Sequence, residues 1–324
     1  MRIAVTGSIA TDHLMMFAGK FTDTLIAEKL DKISVSFLVG NLEIRRGGVA
    51  GNISYGLGCL GLTPLLVGSV GPDFAAYGSW LAAHGVDISA VRTSATRHTA
   101  RFTATNDETG NQIASFYPGA MSEDGEIDII GLARASSVDM VVIGAGDPAA
   151  MQRFTADCRA AGVTFAADFS QQVAFLDGAS MRSLIEGAGY LFCNEYEAAV
   201  IEQKTGWSSE AILDRVTTRV ITLGAAGARV ERQGQAPVAV GPVRDATFVE
   251  PTGAGDAFRS GFLAATAWDL PTERAIQLGN LMAVHALETV GPQEYDLAAA
   301  ALTDRAKHSY GADAAAEIAA HLAA

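Results

Sequence analysis

Residues 251–258, Pro-Thr-Gly-Ala-Gly-Asp-Ala-Phe, place a carboxylate in a glycine-rich turn that opens an apolar, helix-competent run. Gly253 and Gly255 flank Ala254 and lead into Asp256. The first N–H groups of a helix have no intrahelical partner and lie at its positive end, so this turn can hold a phosphate or a developing oxyanion. A carboxylate inside the turn can take a proton from a hydroxyl. The segment predicts phosphoryl transfer to an alcohol, and an N-capping aspartate after a glycine turn is the alternative.

Two segments nearer the N-terminus carry side chains suited to a hydroxylated ligand. Asp12 follows the apolar run Ile3–Val5, and we expect it just beyond the carboxyl end of that strand, where open α/β sheets bind ligands. A carboxylate there can accept hydrogen bonds from two neighbouring hydroxyls, or it can cap a turn. Gly47 and Gly48 permit close backbone approach to a ligand, and Asn52, one turn into the next helix, supplies a donor and an acceptor.

Two other segments suit the phosphates of a nucleotide. Asn194 and Glu197 follow an apolar run and share one helix face. Near phosphates they can hold magnesium through its waters, and a capping box is the alternative. Thr222, Gly224 and Gly227 end another apolar run, where the glycines let backbone N–H groups approach a phosphate, although a plain strand-to-hairpin turn has the same pattern.

These motifs lie on alternating strand and helix patterns. Short apolar runs typical of strands buried on both faces are Ile3–Val5, Leu65–Val67, Met140–Ile143, Thr164–Ala167, Tyr190–Cys193 and Arg219–Leu223. Helical patterns are Ala50–Gly61, Phe74–His84, Ala149–Ala161, Ala179–Ala188, Glu195–Gln203, Ser209–Asp214, Asp256–Trp268, Thr272–Glu288 and roughly Ala298–Ala323. This alternation predicts an α/β fold with a doubly wound, mostly parallel sheet flanked by helices.

Residues 13–46 and 93–120 break the alternation. They contain half-polar, β-favouring stretches at Ile33–Val39, Leu42–Arg46, Thr99–Thr105 and Gln112–Tyr117, with a hairpin turn predicted at Asn106–Gly110. We interpret them as a small β-sheet lid inserted into one α/β domain that covers residues 1–324. An exposed edge strand of such a lid favours pairing between two subunits as a homodimer.

The composition of the 324-residue chain argues against several classes of protein. A net charge of −13 does not suit nucleic-acid binding, which depends on a basic surface. Cys59, Cys158 and Cys193 form no C-x-x-C pair, which argues against disulfides and a zinc site and favours the reducing cytoplasm. We expect neither a secretion signal nor a membrane span, because no apolar run reaches about 18 residues.

Taken in order, the motifs resemble those of the ribokinase (PfkB-type) family of sugar and nucleoside kinases. The order is an early Gly-Ser with Asp12, Gly-Gly with Asn52, Asn-x-x-Glu, Thr-x-Gly and a late Gly-Ala-Gly-Asp. The resemblance spans nearly the whole chain, and segments 47–52 and 253–256 correspond to the signature regions of the family. It implies the fold described above, ATP with Mg²⁺ as phosphoryl donor, and Asp256 as the general base.

Within the family, the chain is most similar to the ribokinase-like adenosine kinases of bacteria. The similar segments are Val5–Leu14, Ser36–Val39, Gly47–Asn52, His98–Phe102, Gln112–Met121 and Ser170-Gln171-Gln172. The similarity implies adenosine as acceptor and AMP as product. It assigns Asp12, Gly48 and Asn52 to the ribose, and it places the purine between Phe102 and Phe116.

The same similarity suggests further contacts for both substrates. Ser8, Ser36, Gln171 and Gln172 are candidates for polar contacts to the ribose or the base. The adenine of ATP is expected near Asn280, beside the phosphate-binding Asn194, Thr222, Gly224 and Gly227.

One departure and two alternatives leave the function open. Glu250 stands where the family usually has an aspartate that helps to bind a monovalent cation, so the K⁺ requirement is open. Another kinase of the family, acting on ribose, fructose or a different nucleoside, would share all the catalytic motifs. A non-catalytic nucleoside or nucleotide sensor is the second alternative.

Overall fold

Strands and helices alternate along the chain, which the computed structural model describes over residues 1–25, 31–32 and 34–322. The strands within these residues are β1 (Ile3–Thr6), β2 (Ala10–Phe17), β3 (Val39–Gly47), β4 (Leu65–Val70), β5 (Val91–Thr93), β6 (Ala100–Asn106), β7 (Gln112–Tyr117), β8 (Met140–Ile143), β9 (Thr164–Asp168), β10 (Tyr190–Asn194), β11 (Thr218–Thr222), β12 (Ala228–Glu231) and β13 (Val238–Val240). The α-helices are α1 (Phe21–Thr24), α2 (Val49–Cys59), α3 (Ala75–Ala83), α4 (Ile129–Ala135), α5 (Pro148–Ala161), α6 (Gly178–Ile185), α7 (Glu195–Thr205), α8 (Ser209–Leu213), α9 (Ala254–Ala267), α10 (Thr272–Leu287), α11 (Ala299–Tyr310) and α12 (Ala312–Ala319).

A nine-stranded sheet forms the centre of the molecule. Its order is β13-β12-β11-β10-β9-β8-β1-β4-β5. All neighbouring strands from β11 to β5 pair in parallel. Strand β12 pairs antiparallel with β11, and β13 pairs antiparallel with β12. The chain winds outward from β1 to β5 and then crosses to β8, on the other side of β1. Because the order reverses there, the carboxyl ends of β1 and β8 lie at a topological switch point. The doubly wound, mostly parallel sheet predicted from the sequence is confirmed.

Helices cover both faces of this sheet, which gives two cores. Val5 and Phe262 belong to one buried cluster, on the side of α2, α9 and α10. Ala4 and Phe154 belong to the other, on the side of α5. Strands buried on both faces read as continuous apolar runs, which is why they could be recognised in the sequence. No helix among the described residues has the length and apolarity needed to cross a membrane.

Capping residues determine where several of the covering helices begin and end. The Asp147 carboxylate accepts a hydrogen bond from the N–H of Ala150 at the start of α5, and Asp177 does the same for Ser180 in α6. Helix α5 ends at Gly162, which has the left-handed conformation (φ 68°) that glycine adopts without strain.

A separate four-stranded sheet, with the order β3-β2-β6-β7, forms the lid. Its strands come from two insertions, and β2 joins them by pairing in parallel with β6. The predicted turn at 106–110 closes the β6–β7 hairpin, where the Asp107 carboxylate accepts hydrogen bonds from the N–H groups of Thr109 and Asn111. The small β-sheet predicted from the half-polar stretches is therefore present.

The structure differs from the sequence-based elements in several places. The sequence pattern did not predict the short elements α1, α4, β5, β12 and β13. Residues 10–17 form a strand that the sequence pattern did not predict, and residues 34–38 of the predicted stretch Ile33–Val39 form none; Ile33 lies outside the described residues. The predicted C-terminal helix is two helices, because Gly311 (φ 96°) interrupts it. Residue 323 also lies outside the described residues.

Candidate active site

The predicted catalytic turn has the expected position at the start of α9. Gly253 is left-handed (φ 79°, ψ −4°), and a Cβ there would lie 2.4 Å from the Cβ of Pro292. Both the dihedral angle and the close contact therefore require glycine. The N–H of Ala254 donates to the carbonyl of Pro251 at 3.2 Å. Among the described residues, the N–H groups of Gly253, Gly255 and Asp256 have no acceptor, so they are the donors left for an anion.

The Asp256 carboxylate is buried beside these donors and is only 9% exposed. Its Oδ2 accepts a hydrogen bond of 2.8 Å from the Asn52 side chain, and its Oδ1 lies 3.9 Å from Nη1 of Arg259. Burial raises the pKa of Asp256 to about 6, against the lowering influence of Arg259 and of the Asn52 hydrogen bond. A carboxylate with this pKa is mostly ionised at neutral pH and is a stronger base than an exposed one, as suits a general base.

The orientation of Asn52 is fixed by a chain of hydrogen bonds. Asn52 lies on α2 and is 6% exposed. Its Oδ1 accepts from Nε2 of Gln293 at 2.9 Å, so its amide N–H group must point towards Asp256. Gln293 also donates to the hydroxyl of Tyr77, which donates to the carbonyl of Gly47. Asn52, predicted to bind ribose, therefore also positions the candidate base.

Gly48 is needed for a close backbone contact at the start of α2. Its φ is 89°, and a Cβ there would lie 2.4 Å from the carbonyl oxygen of Ser8. The Ser8 hydroxyl accepts a hydrogen bond from the N–H of Val49 at 3.0 Å, and its carbonyl accepts from Ala50. Ser8 therefore binds the first N–H groups of α2. It also lies at the switch point, and its predicted contact with substrate stays a prediction.

Asp12 is not beyond a strand end, as the sequence predicted, but lies inside strand β2 of the lid sheet. It pairs with Arg45 of β3 and with Phe102 of β6, and its carboxylate lies against Gly47. Burial raises the pKa of Asp12 to about 6, while the Arg45 charge lowers it and Glu250 raises it. The difference arises because β2 pairs with distant β6, an interaction without a local signal.

Phe102 and Phe116 are neighbours on one face of the lid sheet rather than two faces opposed across a ring. They form a directly opposite cross-strand pair in β6 and β7, and Phe102 shares its face with Asp12 because those two are also register partners. Phe116 is 50% exposed. The two rings are therefore neighbours on one face of the lid sheet, and their contact with a purine stays a prediction. Ser36 is exposed and belongs to no strand.

The remaining acceptor-side candidates follow β9. Ser170 (φ 41°) donates its hydroxyl to Oδ1 of Asp168 at 2.9 Å. Gln172 donates to the carbonyl of Gly146 at 2.7 Å, and Gln171 is exposed. The structure thus ties Gln172 to the switch-point loop and leaves Gln171 free to meet a ligand.

The candidates for ATP binding lie at the carboxyl ends of β10 and β11. Asn194 and Thr222 are register partners at the ends of these adjacent parallel strands. Gly224 (φ 55°) has open space around its Cα, and Gly227 (φ 90°) could not carry a Cβ, which would lie 2.1 Å from the carbonyl of Val240. Asn280 is buried on α10, where its amide donates to the carbonyl of Gly241 and the Tyr310 hydroxyl. These two bonds engage the Asn280 donors, and a place for the adenine of ATP near Asn280 stays a prediction.

Asn194 and Glu197 form a capping box at the start of α7, the alternative that the sequence left open. The Asn194 side chain accepts from the N–H of Glu197 at 2.8 Å, and the Glu197 carboxylate accepts from the N–H of Asn194 at 2.8 Å. Burial raises the pKa of Glu197. Among the described residues no group of three or more His, Cys, Asp or Glu residues could hold a metal. One carboxylate and one amide fit Mg²⁺ in the mode in which it keeps most of its waters and binds phosphates.

Sequence reasoning missed two arginines of functional interest. Arg259 lies one turn after Asp256 on the same helix, a spacing that would have placed it beside the carboxylate. Arg45 of the lid donates to both carboxylate oxygens of Glu250, at 2.9 and 2.7 Å. Arg45 had no comparable signal, because its partner lies 205 residues away in the sequence.

Known proteins resemble this chain over most of its length. The profile of the family described as "pfkB family carbohydrate kinase" matches residues 9–299. A nucleoside kinase of Methanocaldococcus jannaschii is 26% identical over 273 residues, 82% of this chain and 87% of that protein. The structure of Burkholderia thailandensis nucleoside kinase in complex with inosine is 32% identical, with 96% of this chain and 98% of that chain covered and a TM-score of 0.79. A ribokinase of Cryptococcus neoformans in complex with ADP, at 16% identity, shares the fold with a TM-score of 0.78.

Proposed function

This chain belongs to the pfkB family of carbohydrate kinases and has the ribokinase-like fold, and on that premise we propose that it transfers the γ-phosphoryl group of ATP to the 5′-hydroxyl of adenosine. The observation that carries the proposal is the Asp256 carboxylate, buried beside unpaired N–H groups at the start of α9. A base and an anion site in contact with one another are what phosphoryl transfer to an alcohol requires.

The Asp256 carboxylate accepts the proton of the 5′-hydroxyl as the bond between that oxygen and the γ-phosphorus forms. The bond from the γ-phosphorus to the bridging oxygen breaks, and ADP leaves with that oxygen. The N–H groups of Gly253, Gly255 and Asp256 stabilise the transferring oxygens. Ala254 shapes the turn, since its N–H already donates to Pro251. Most of the rate enhancement then comes from positioning and charge.

The nucleotide lies over the ends of β10 and β11 in this proposal. Asn194, Thr222, Gly224 and Gly227 approach its phosphates, and the surroundings of Asn280 shape the wall near its adenine. Mg²⁺, when bound with ATP, neutralises charge on the β- and γ-phosphates. Glu197, with Asn194, is the carboxylate available to orient its waters.

The acceptor lies between the lid sheet and the carboxyl edge of the central sheet. Asp12, Gly48 and Asn52 bind the ribose. The nucleobase lies across Phe102 and Phe116, which are on the same face of the lid sheet as Asp12. Contact with two aromatic rings favours a planar base over a bare sugar. Ser8, Ser36, Gln171 and Gln172 supply further polar contacts to the nucleoside.

Inosine is the second candidate acceptor, because the Burkholderia relative was solved in complex with inosine. Adenosine and inosine differ at the 6-position of the base, an amino donor in one and a carbonyl acceptor in the other. A glutamine amide can serve either group by turning over. Gln171, which is exposed, has the freedom to do so.

A coupled kinase assay with ATP and magnesium over adenosine, inosine, guanosine, cytidine, ribose and fructose tests the proposal. We expect the highest kcat/KM for adenosine, with inosine next, and a loss of roughly 100-fold or more in Asp256→Asn on the scale of a lost general base. Preference for ribose or fructose would overturn the acceptor, and a near-normal rate in Asp256→Asn would overturn the base.

Two lid variants test whether the nucleobase stacks on the lid, as distinct from general damage to the fold. Phe102→Ala and Phe116→Ala should each raise the KM for adenosine, since stacking on an aromatic side chain contributes about 1–3 kcal/mol per base. Thr103→Ala, on the opposite face of the same strand, is the control and should leave the KM unchanged. Equal effects of all three substitutions would contradict the stacking contact.

A further inference from the structure

Arg259 is a buried cation that the reaction described above does not yet use. It lies on α9, one turn after Asp256, and is 8% exposed. Its Nη2 donates to Oδ1 of Asp168 at 2.7 Å, and its Nε lies 2.6 Å from Oδ2, a close contact with poor alignment for a hydrogen bond. Asp168 ends β9 and is completely buried. The Ser170 hydroxyl also bonds to Asp168. Because a guanidinium is planar, contacts through Nε and Nη2 fix the direction of the third nitrogen.

That third nitrogen, Nη1, points to the catalytic turn. It lies 3.9 Å from Oδ1 of Asp256 and only 2.7 Å from the place where a Cβ of Gly255 would stand. Any other residue at 255 would therefore push the guanidinium away from the turn. Within the described part of the chain, Nη1 donates to no acceptor. Asp168 lies on the opposite edge of the guanidinium, so the cationic side of the ion pair faces Asp256.

We propose that Arg259, fixed by Asp168, is a positioning residue that keeps the buried Asp256 carboxylate ionised and ready to accept the acceptor's proton. The inference rests on the proposed function, since it gives Asp256 the part of general base. Without a cation at this place, a carboxylate buried among other carboxylates would hold its own proton and could not take another. Gly255 then has a second purpose besides the turn, which is to leave room for the guanidinium.

The charges around Asp256 support this assignment. Burial raises the pKa of Asp256, and the Arg259 charge is the largest influence in the opposite direction. Asp168 and Glu197 raise that pKa, and the hydrogen bond from Asn52 lowers it. The titratable groups that face Asp256 from the packed elements are Arg259 on α9, Asp168 at the end of β9, Glu197 on α7, Tyr77 on α3 and Tyr295 after α10. Arg259 is the one cation among them.

The experiment is the pH profile of kcat/KM in three variants, measured with whichever acceptor the wild-type enzyme phosphorylates. Arg259→Gln should move the acidic limb upward by about one pH unit, the effect of losing a neighbouring opposite charge. Asp168→Asn, which removes a like charge and leaves the cation, should move it downward. Arg259→Lys keeps a charge and should lie between wild type and Arg259→Gln. A limb that stays in place in Arg259→Gln, or that moves the same way in Asp168→Asn, would overturn the proposal.

A second measurement does not depend on turnover. The side-chain carboxyl ¹³C resonance that disappears in Asp256→Asn reports the titration of Asp256 directly, and in Arg259→Gln its midpoint should rise by about one pH unit. If Arg259→Gln fails to fold because Asp168 is left buried without a partner, the double variant Arg259→Gln with Asp168→Asn removes both charges, and its midpoint should still lie above that of Asp168→Asn alone. Equal midpoints would overturn the role of Arg259. Failure of every acceptor in the wild type, with the expected ¹³C shifts intact, would overturn the proposed function alone.

Discussion

Two carboxylates of the site, Asp256 and Asp12, share one physical condition. Burial raises the pKa of each to about 6, and in each case an arginine opposes the effect of burial, Arg259 for Asp256 and Arg45 for Asp12. Both groups therefore change protonation just below neutral pH. As the pH falls through this range, the candidate base and the candidate ribose ligand both become neutral, so activity is expected to fall.

We predict that Asp256→Asn stabilises the folded protein while it lowers turnover. The folded-state pKa of Asp256, about 6, lies above the ordinary value of 3.8, so folding favours the protonated form. The stabilisation from that form is complete below the ordinary pKa and is lost as pH rises through the folded one. The Tm of Asp256→Asn should therefore exceed that of wild type most clearly above about pH 7 and should approach it near about pH 4.

Scanning calorimetry of both proteins across this pH range checks the prediction. Asp304→Asn, at an exposed position of α11, is the matched control and should change Tm little at any pH. A Tm difference for Asp256→Asn that is the same at acid and neutral pH would show that charge burial is not its source.

At the scale of elements, the start of α9 depends on one glycine. Gly253→Ala must adopt φ 79° and place a Cβ 2.4 Å from Pro292, whereas Gly234→Ala, in the β12–β13 hairpin, has φ 68° with open space. The left-handed conformation costs about 1–2 kcal/mol at either position. Gly253→Ala should cost more stability than Gly234→Ala and should also lower kcat, because the backbone donors move. Chemical denaturation and kinetics of the two variants give the comparison, and equal losses would contradict the steric requirement.

Elements buried on both faces could be predicted from sequence, and elements defined by distant partners could not. The central strands read as short apolar runs, and the turn at 253–256 is local in the chain, so both were found. Strand β2 carries Thr11, Asp12 and His13 among apolar residues, and its pairing with β3 and with β6, both separated from it in the chain, makes it a strand. The Gln293 side chain that orients Asn52 lies 241 residues away, where no spacing pattern points to it.

At the scale of the whole molecule, ion pairs connect the lid to the body. Arg45 and Arg46, adjacent in β3, reach Glu250 and Glu294, at 2.7 and 3.0 Å. Glu250 precedes the catalytic turn, and Glu294 follows Gln293, which orients Asn52. The lid is thus linked by ion pairs to both segments that position Asp256.

We predict that turnover does not require K⁺. Both carboxylate oxygens of Glu250 accept from Arg45, and one also accepts from the N–H of Gly291 at 3.2 Å, so this carboxylate already has a cation. Rates in KCl and in tetramethylammonium chloride at equal ionic strength should agree within about twofold, a barrier difference below 0.5 kcal/mol. Arg45→Ala frees Glu250 and should make K⁺ stimulatory. Strong stimulation of the wild type by K⁺ would contradict the prediction.

The position of β1 between β4 and β8 has a consequence for biosynthesis. Ile3 pairs with Met140, so β1 waits for this partner strand, which is synthesised on the order of ten seconds later. All four residues of β1 are buried in the finished sheet, and pairing between such distant parallel strands is slow. During that interval the apolar strand β1 lacks this partner and can aggregate with other chains. Its need for chaperones should be greatest before β8 has emerged.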